Sequence, residues 1–181
     1  MKRAWPFLAV LAAAAVFSQR WTIVPERPTR PEGFLEAEVA GIMGGPMGMH
    51  GAVILVPRMK GPATRVMAIV VGGTEGSSIQ LALAHEHYPR PLTHDLLMTM
   101  AERFDAKVRA LYIHSMQRDT YFARLETERG GKLYDFDCRP SDGIAIALRA
   151  GAPIWIKRDV FDRAAVNLPA PIKEGNRGGG I

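Results

Sequence analysis

The residues best suited to chemistry lie in one short string, Asp137-Cys138-Arg139-Pro140-Ser141-Asp142-Gly143. Asp137 and Asp142 bring two carboxylates, which can move protons or hold a divalent cation such as Mg²⁺ or Mn²⁺. Arg139 between them brings a guanidinium that can neutralise an anion. His94 and Asp95 form a second acid–base pair, and imidazole titrates nearest neutral pH. Arg90 and Arg124 are candidate anion contacts, and Ser141 is a candidate donor at a helix start. Each group also has a structural alternative. Arg139 and Asp142 can pin a turn as an ion pair, and His94 and Asp95 can simply start a helix.

The flanking sequence sets how these residues are held. Tyr134, Phe136 and Cys138 alternate with Asp135, Asp137 and Arg139, which predicts a strand with one apolar and one charged face. Pro140 then suits a first helical turn, and Ile144, Ala147 and Leu148 follow at helical spacing. Asp137, Arg139 and Asp142 are therefore expected at one strand–helix junction. Thr93 is the expected N-cap of another helix, with Asp95 in its first turn. Leu96, Leu97, Met100, Ala101 and Phe104 form that helix's apolar stripe.

The chain also repeats itself. Ile79, Leu81, Ala82 and Leu83 match Ile144, Ile146, Ala147 and Leu148 at a constant offset of 65. Strand-like runs precede each copy: Leu35 to Met43, Ala52 to Val56 and Val66 to Val71, then Val108 to Ile113, Thr120 to Glu126 and Lys132 to Asp137. Gly130-Gly131 supplies the positive φ of a tight hairpin. A short strand, Ile154 to Ile156, and a helical turn around Val160 to Ala165 close the unit. The expected fold is α+β, with duplicated β-meander-plus-helix units forming one compact domain. At the first junction Thr74-Glu75-Gly76-Ser77 replaces Arg139-Pro140-Ser141-Asp142, so the second junction is the better candidate site and the first is expected to be structural.

The junction string, extended through Ile144-Ala145-Ile146-Ala147-Leu148-Arg149, resembles the bifunctional nuclease domain family. Pro89-Arg90-Pro91-Leu92-Thr93-His94-Asp95-Leu96-Leu97 and Tyr121-Phe122-Ala123-Arg124-Leu125 carry the same resemblance, in order, across roughly Phe34 to Ala165. It implies a compact α+β domain that cleaves RNA and DNA, and it supplies no catalytic assignment. Phosphodiester cleavage needs an activated nucleophile, neutralised phosphoryl charge and a stabilised leaving group. Carboxylate-held Mg²⁺ or Mn²⁺, or histidine with arginine, can provide these.

Composition bounds the rest. The 181 residues carry a net charge of +5, and without Lys2 and Arg3 the count is 21 basic to 18 acidic, a mildly basic protein. A lone cysteine, Cys138, excludes an intramolecular disulfide and a cysteine-based zinc cluster, and its place in the strand predicts core packing. Lys2-Arg3 before the apolar run Ala4 to Phe17 predicts an export signal or anchor over 1–24, hence a periplasmic or membrane-tethered protein with membrane contact through 4–24. A Pro-rich linker over 25–33, the domain over 34–165 and a flexible tail over 166–181 complete the expected organisation. Exposed sheet faces make a homo-oligomer the expected assembly. His85-Glu86-His87 and the loop containing Met43, Met47, Met49 and His50 are weaker metal candidates, the latter for Cu(I). The arginines are scattered; Arg109 and Arg124 predict either a strand-borne groove for nucleic acid or a solvated face paired with Glu126 and Glu128.

Overall fold

The computed structural model describes residues 30–44, 50–58 and 65–168. The expected leader, most of the linker, residues 45–49 of the Met-rich loop and the chain from 169 onward lie outside the described residues. In order, the elements are β1 (Phe34–Gly44), β2 (His50–Pro57), β3 (Arg65–Gly72), α1 (Gly73–Ala84), α2 (Thr93–Arg103), β4 (Lys107–Gln117), β5 (Thr120–Arg129), β6 (Lys132–Cys138), α3 (Pro140–Ala150), β7 (Ile154–Lys157), α4 (Arg158–Ala164) and β8 (Val166–Asn167). One mixed sheet takes the strands in the order β6-β5-β4-β7-β1-β2-β3-β8.

That order shows the duplication directly. The meander β1-β2-β3 runs into α1, and β4-β5-β6 runs into α3, with β7 wedged between the two units. β7 pairs antiparallel with β1 and parallel with β4. The β5–β6 hairpin turns on Gly130 and Gly131 at φ 57 and 75, the left-handed region that a two-residue turn needs.

Side-chain alternation divides the sheet into two faces. Leu111 and Ile113 of β4 point to the helices and join Val53, Leu55, Met67, Ile79 and Ile144 in the main core. Ala110 and Tyr112 point the other way, where they meet Trp155 and Phe34. The Phe34 and Tyr112 rings there meet edge to face, centroids 5.5 Å apart. Helices α1 and α3 lie side by side on the core face, and α2 packs on α3. The first turns of α1 and α3 are thereby brought together, with His94 of α2 beside them, which is what positions the site.

Four local expectations are corrected. Leu92, not Thr93, is the N-cap of α2, because the Asp95 carboxylate accepts the Leu92 N–H at 2.9 Å and closes the first turn itself. The apolar stripe of α2 faces solvent, with Leu96, Leu97, Met100 and Phe104 exposed, because α2 rests on α3 rather than on the sheet. Tyr134 and Phe136 of β6 are likewise exposed: β6 is an edge strand, and α3 covers β4 and β5 instead. Finally, Val166 and Asn167 pair with Val66 and Arg65, so an ordered strand occupies the start of the expected tail. Among the described residues no helix is long and apolar enough to cross a membrane.

Candidate active site

Strand β6 ends at Cys138, and Arg139 turns the chain into α3 as its N-cap, with Pro140 in the first turn. Asp142 follows in that turn, so its carboxylate sits at the positive end of the helix. Arg139 grips it by a fork: Nε donates to Oδ2 at 2.7 Å and Nη2 to Oδ1 at 3.0 Å. The same Nη2 donates to Glu75 Oε1 at 2.7 Å. Glu75 comes from the first turn of α1, the other half of the duplication, and accepts the Thr74 hydroxyl at 2.8 Å. That hydroxyl is the main reason its carboxyl lies below the usual range, with its own backbone N–H and Arg139 adding to the effect. Asp142 and Glu75 in turn raise the guanidinium, which stays charged throughout.

The third contribution comes from α2. His94 Nε2 lies 3.3 Å from Asp142 Oδ1, and its Nδ1 lies 2.9 Å from Ser78 Oγ. A carboxylate accepts only, so the hydrogen in the first contact is on Nε2. In the neutral ring Nδ1 then accepts the Ser78 hydroxyl. The order Ser–His–Asp matches a hydrolytic triad with the ring nitrogens exchanged. Burial decides against a nucleophilic serine: Ser78 is 2% exposed, beyond the reach of a polymer backbone. Ser78 instead fixes the imidazole, while the side chains of Arg139 and Asp142 are 67% and 26% exposed and form the accessible rim.

Asp142 Oδ1 is shared by His94 of α2 and Arg139, and α1 joins the cluster through Glu75 on Arg139 and Ser78 on His94. The Arg139 Nη1 end makes no hydrogen bond among the described residues, so two N–H donors face outward from an exposed side chain. An exposed guanidinium edge beside an imidazole–carboxylate pair can bind a phosphoryl oxygen and move protons.

A second ion pair braces this cluster. Arg149 Nε donates to Asp95 Oδ1 at 2.7 Å, and Nη1 donates to the carbonyls of Ser78 and Ala145. α3 is thereby tied to α1 and α2 on either side of His94. The Arg149 contact, with help from the Leu92 N–H, holds the Asp95 carboxyl below its ordinary value. A depressed folded pKa means stability that is fully present above the unfolded value near 3.8 and lost as pH falls through the folded one. Asp95→Ala should lower the unfolding free energy by about 2–3 kcal/mol at pH 7, since Arg149 is left without its charge partner at 11% exposure. Urea melts at pH 7 and pH 3 check this: the gap between wild type and variant should shrink at pH 3.

The remaining candidates are placed elsewhere. Asp137 stands opposite Arg124 on the sheet face away from the helices and shares no hydrogen bond with Arg139 or Asp142. The expectation that it joins them is corrected: the strand stops before Arg139, so two-residue alternation does not carry through. Arg124 pairs with Asp135 and Glu126 and stacks 3.9 Å over the Tyr112 ring, also on that far face. Arg109 pairs with Glu128 at 3.3 Å, so the solvated, cross-strand alternative describes these arginines. Ser141 is buried at 8% exposure, closed to a substrate. Arg90 is exposed in the loop before α2 and makes no ion pair among the described residues. Cys138 packs against the core, and burial pushes its thiol up to about 11, so it is neutral.

His85, Glu86 and His87 line a groove of about 680 Å³ at the opposite ends of α1 and α3, together with Glu102. Arg149 also lines that groove, but Asp95 already engages it. Among the described residues no group of three or more His, Cys, Asp or Glu side chains is arranged to hold a metal ion. The site residues that sequence patterns missed are Glu75, Ser78 and Arg149. Glu75 had a signal, as the acid in the first turn of the duplicated helix. Arg149 closed the junction string without any sign of its partner, and Ser78 had no signal.

The family model described as the bifunctional nuclease domain matches residues 53–169, more than half of the chain. An uncharacterised protein of Mycobacterium tuberculosis is 34% identical over 105 residues, covering 58% of this chain and 62% of that one. A protein of Oryza sativa subsp. indica named Bifunctional nuclease 1 is 31% identical over 125 residues, covering 67% of this chain and 37% of its own. Bifunctional nuclease 1 of Arabidopsis thaliana is 25% identical over 137 residues, 70% of this chain and 42% of its own. The chain therefore spans less than two thirds of the length of these relatives.

Proposed function

Because the chain belongs to the bifunctional nuclease domain family, we propose that it hydrolyses phosphodiester bonds in RNA and DNA at the junction of Arg139, Asp142 and His94. The observation that carries this is the shared carboxylate oxygen: Asp142 Oδ1 couples a largely buried imidazole, 12% exposed and 3.3 Å away, to an exposed guanidinium at 3.0 Å. DNA has no 2′-hydroxyl, so the nucleophile common to both polymers is water.

Arg139 binds a non-bridging phosphoryl oxygen through its outward Nη1, and the positive ends of three helices favour the same charge. Asp142 takes a proton from the attacking water as the new O–P bond forms. His94 in its imidazolium form, with Nδ1–H donating to the Ser78 oxygen, gives its Nε2 proton to the departing oxygen as the old P–O bond breaks and becomes the neutral ring, and the Asp142 proton then returns it to the imidazolium. Contacts that stop at the phosphate give little sequence preference. Glu75 and Asp142 are the carboxylates that would hold Mg²⁺ or Mn²⁺, but Arg139 already lies between them, which favours arginine as the charge clamp. The charged and then apolar leader supports an exported protein that contacts a membrane, and the exposed apolar faces of α2 and β6 support self-association.

The test is cleavage of end-labelled DNA and RNA of one sequence by the full chain, in EDTA, Mg²⁺ and Mn²⁺. Both polymers should be cut. Arg139→Ala should raise KM about tenfold and lower the salt slope by about one, as loss of one phosphate contact does. A folded wild-type chain that cuts neither polymer in any of these buffers would refute the proposal.

A further inference from the structure

We propose that Glu75 is a positioning residue of this site, so that the two halves of the duplication build a single nuclease centre between them. The inference rests on the proposed function and names a residue that function does not require by itself. Arg139 is the most exposed member of the cluster, and a free arginine at a rim would sample many rotamers. Asp142 alone fixes the Nε–Nη2 edge. Glu75 takes the second Nη2 hydrogen from a different helix, which crosses the fork and fixes its rotation about the Asp142 contact. With both acids engaged, only Nη1 remains, and it faces out.

Glu75 is itself held. Its second oxygen, Oε2, accepts from Thr74, so one oxygen is anchored and the other is presented to Arg139. Gly72, just before α1, fits the same arrangement. A Cβ there would lie 2.7 Å from Glu75 Oε2, so a larger residue at this position would displace the carboxylate from the pose in which it meets Arg139. A surface acid with no task beyond solubility needs neither anchor. At 17% side-chain exposure, Glu75 is also far less exposed than the arginine it holds.

Three full-length variants test this: Glu75→Gln, Thr74→Val and the double variant Glu75→Gln/Arg139→Ala, each assayed on labelled DNA and RNA with a thermal melt alongside. Glu75→Gln should raise KM about three- to tenfold with kcat within about twofold, because it loosens a binding group and leaves the proton-moving pair in place. Thr74→Val should move KM the same way by a smaller factor, and it guards against a Glu75 variant that fails to fold. In the Arg139→Ala background Glu75→Gln should add nothing further, since its effect runs through that arginine. Equal KM in Glu75→Gln and wild type would overturn the assignment, as would a Glu75→Gln effect of full size without Arg139. An inert Arg139→Ala comparison would instead remove the parent function, so the two failures are told apart.

Discussion

Asp142→Ala should reduce kcat on both DNA and RNA by about 10²–10⁴-fold, the range for losing a positioned acid–base group. The loss is large because one carboxylate serves three contacts. Oδ1 accepts from His94 and from Arg139 Nη2, and Oδ2 accepts from Arg139 Nε. Without it the imidazole keeps only Ser78, and the guanidinium keeps only Glu75. The water loses its proton acceptor and the ring loses the partner that orients its Nε2 proton. Folding should survive, because Asp142 is partly exposed and the Asp95–Arg149 pair still ties the helices together. The check is kcat and KM beside a thermal melt. A folded variant with kcat within threefold of wild type would remove Asp142 from the chemistry.

Gly143→Val should lower stability by about 3 kcal/mol and Tm by about 6–12 °C for a chain of this size. At the next residue after Asp142, α3 presses closely on the sheet. A Cβ at Gly143 would lie 2.3 Å from Leu111 Cδ1 and 3.2 Å from Cys138 Sγ. Leu111 is fully buried in β4, so it has no free space to move into. Valine adds two methyl groups to that clash. α3 would have to lift, and with it the first turn that carries Asp142. Trimming the opposing side chain in a Leu111→Ala/Gly143→Val double variant should recover part of the loss, because the two changes share one space. Calorimetry on the three proteins decides it, and an unchanged Tm in Gly143→Val would contradict the close approach.

Much of the architecture was legible because period, turn chemistry and repetition agreed. The offset of 65 anticipated two meander-plus-helix units, and Gly130-Gly131 marked the hairpin. Periodicity fails where the answer depends on which neighbour arrives. The Leu96, Leu97, Met100 and Phe104 stripe specifies a face of α2 but not what covers it, and the helix came to rest through another face, with His94, Asp95 and Met98 turned inward. Asp137 was misplaced by a local assumption, that alternation continues to Arg139, whereas the chain had already turned at Cys138. Arg139, Asp142 and His94 were nameable from composition and position. Their partners Glu75 and Ser78 were not, since the Glu75–Arg139 contact spans 64 residues and exists only once the halves pack. The corrected site therefore exchanges an acid three residues before a helix start for one supplied by the other half.

The most direct test of the whole account compares wild type with His94→Gln on labelled DNA and RNA of one sequence, under the same buffer and with both proteins shown to be folded. Wild type should cut both strands by hydrolysis, and His94→Gln should lose activity on the two polymers by the same large factor, because one imidazole serves both. Retained cleavage in the variant, or loss on only one polymer, would contradict a single shared centre at the helix junction.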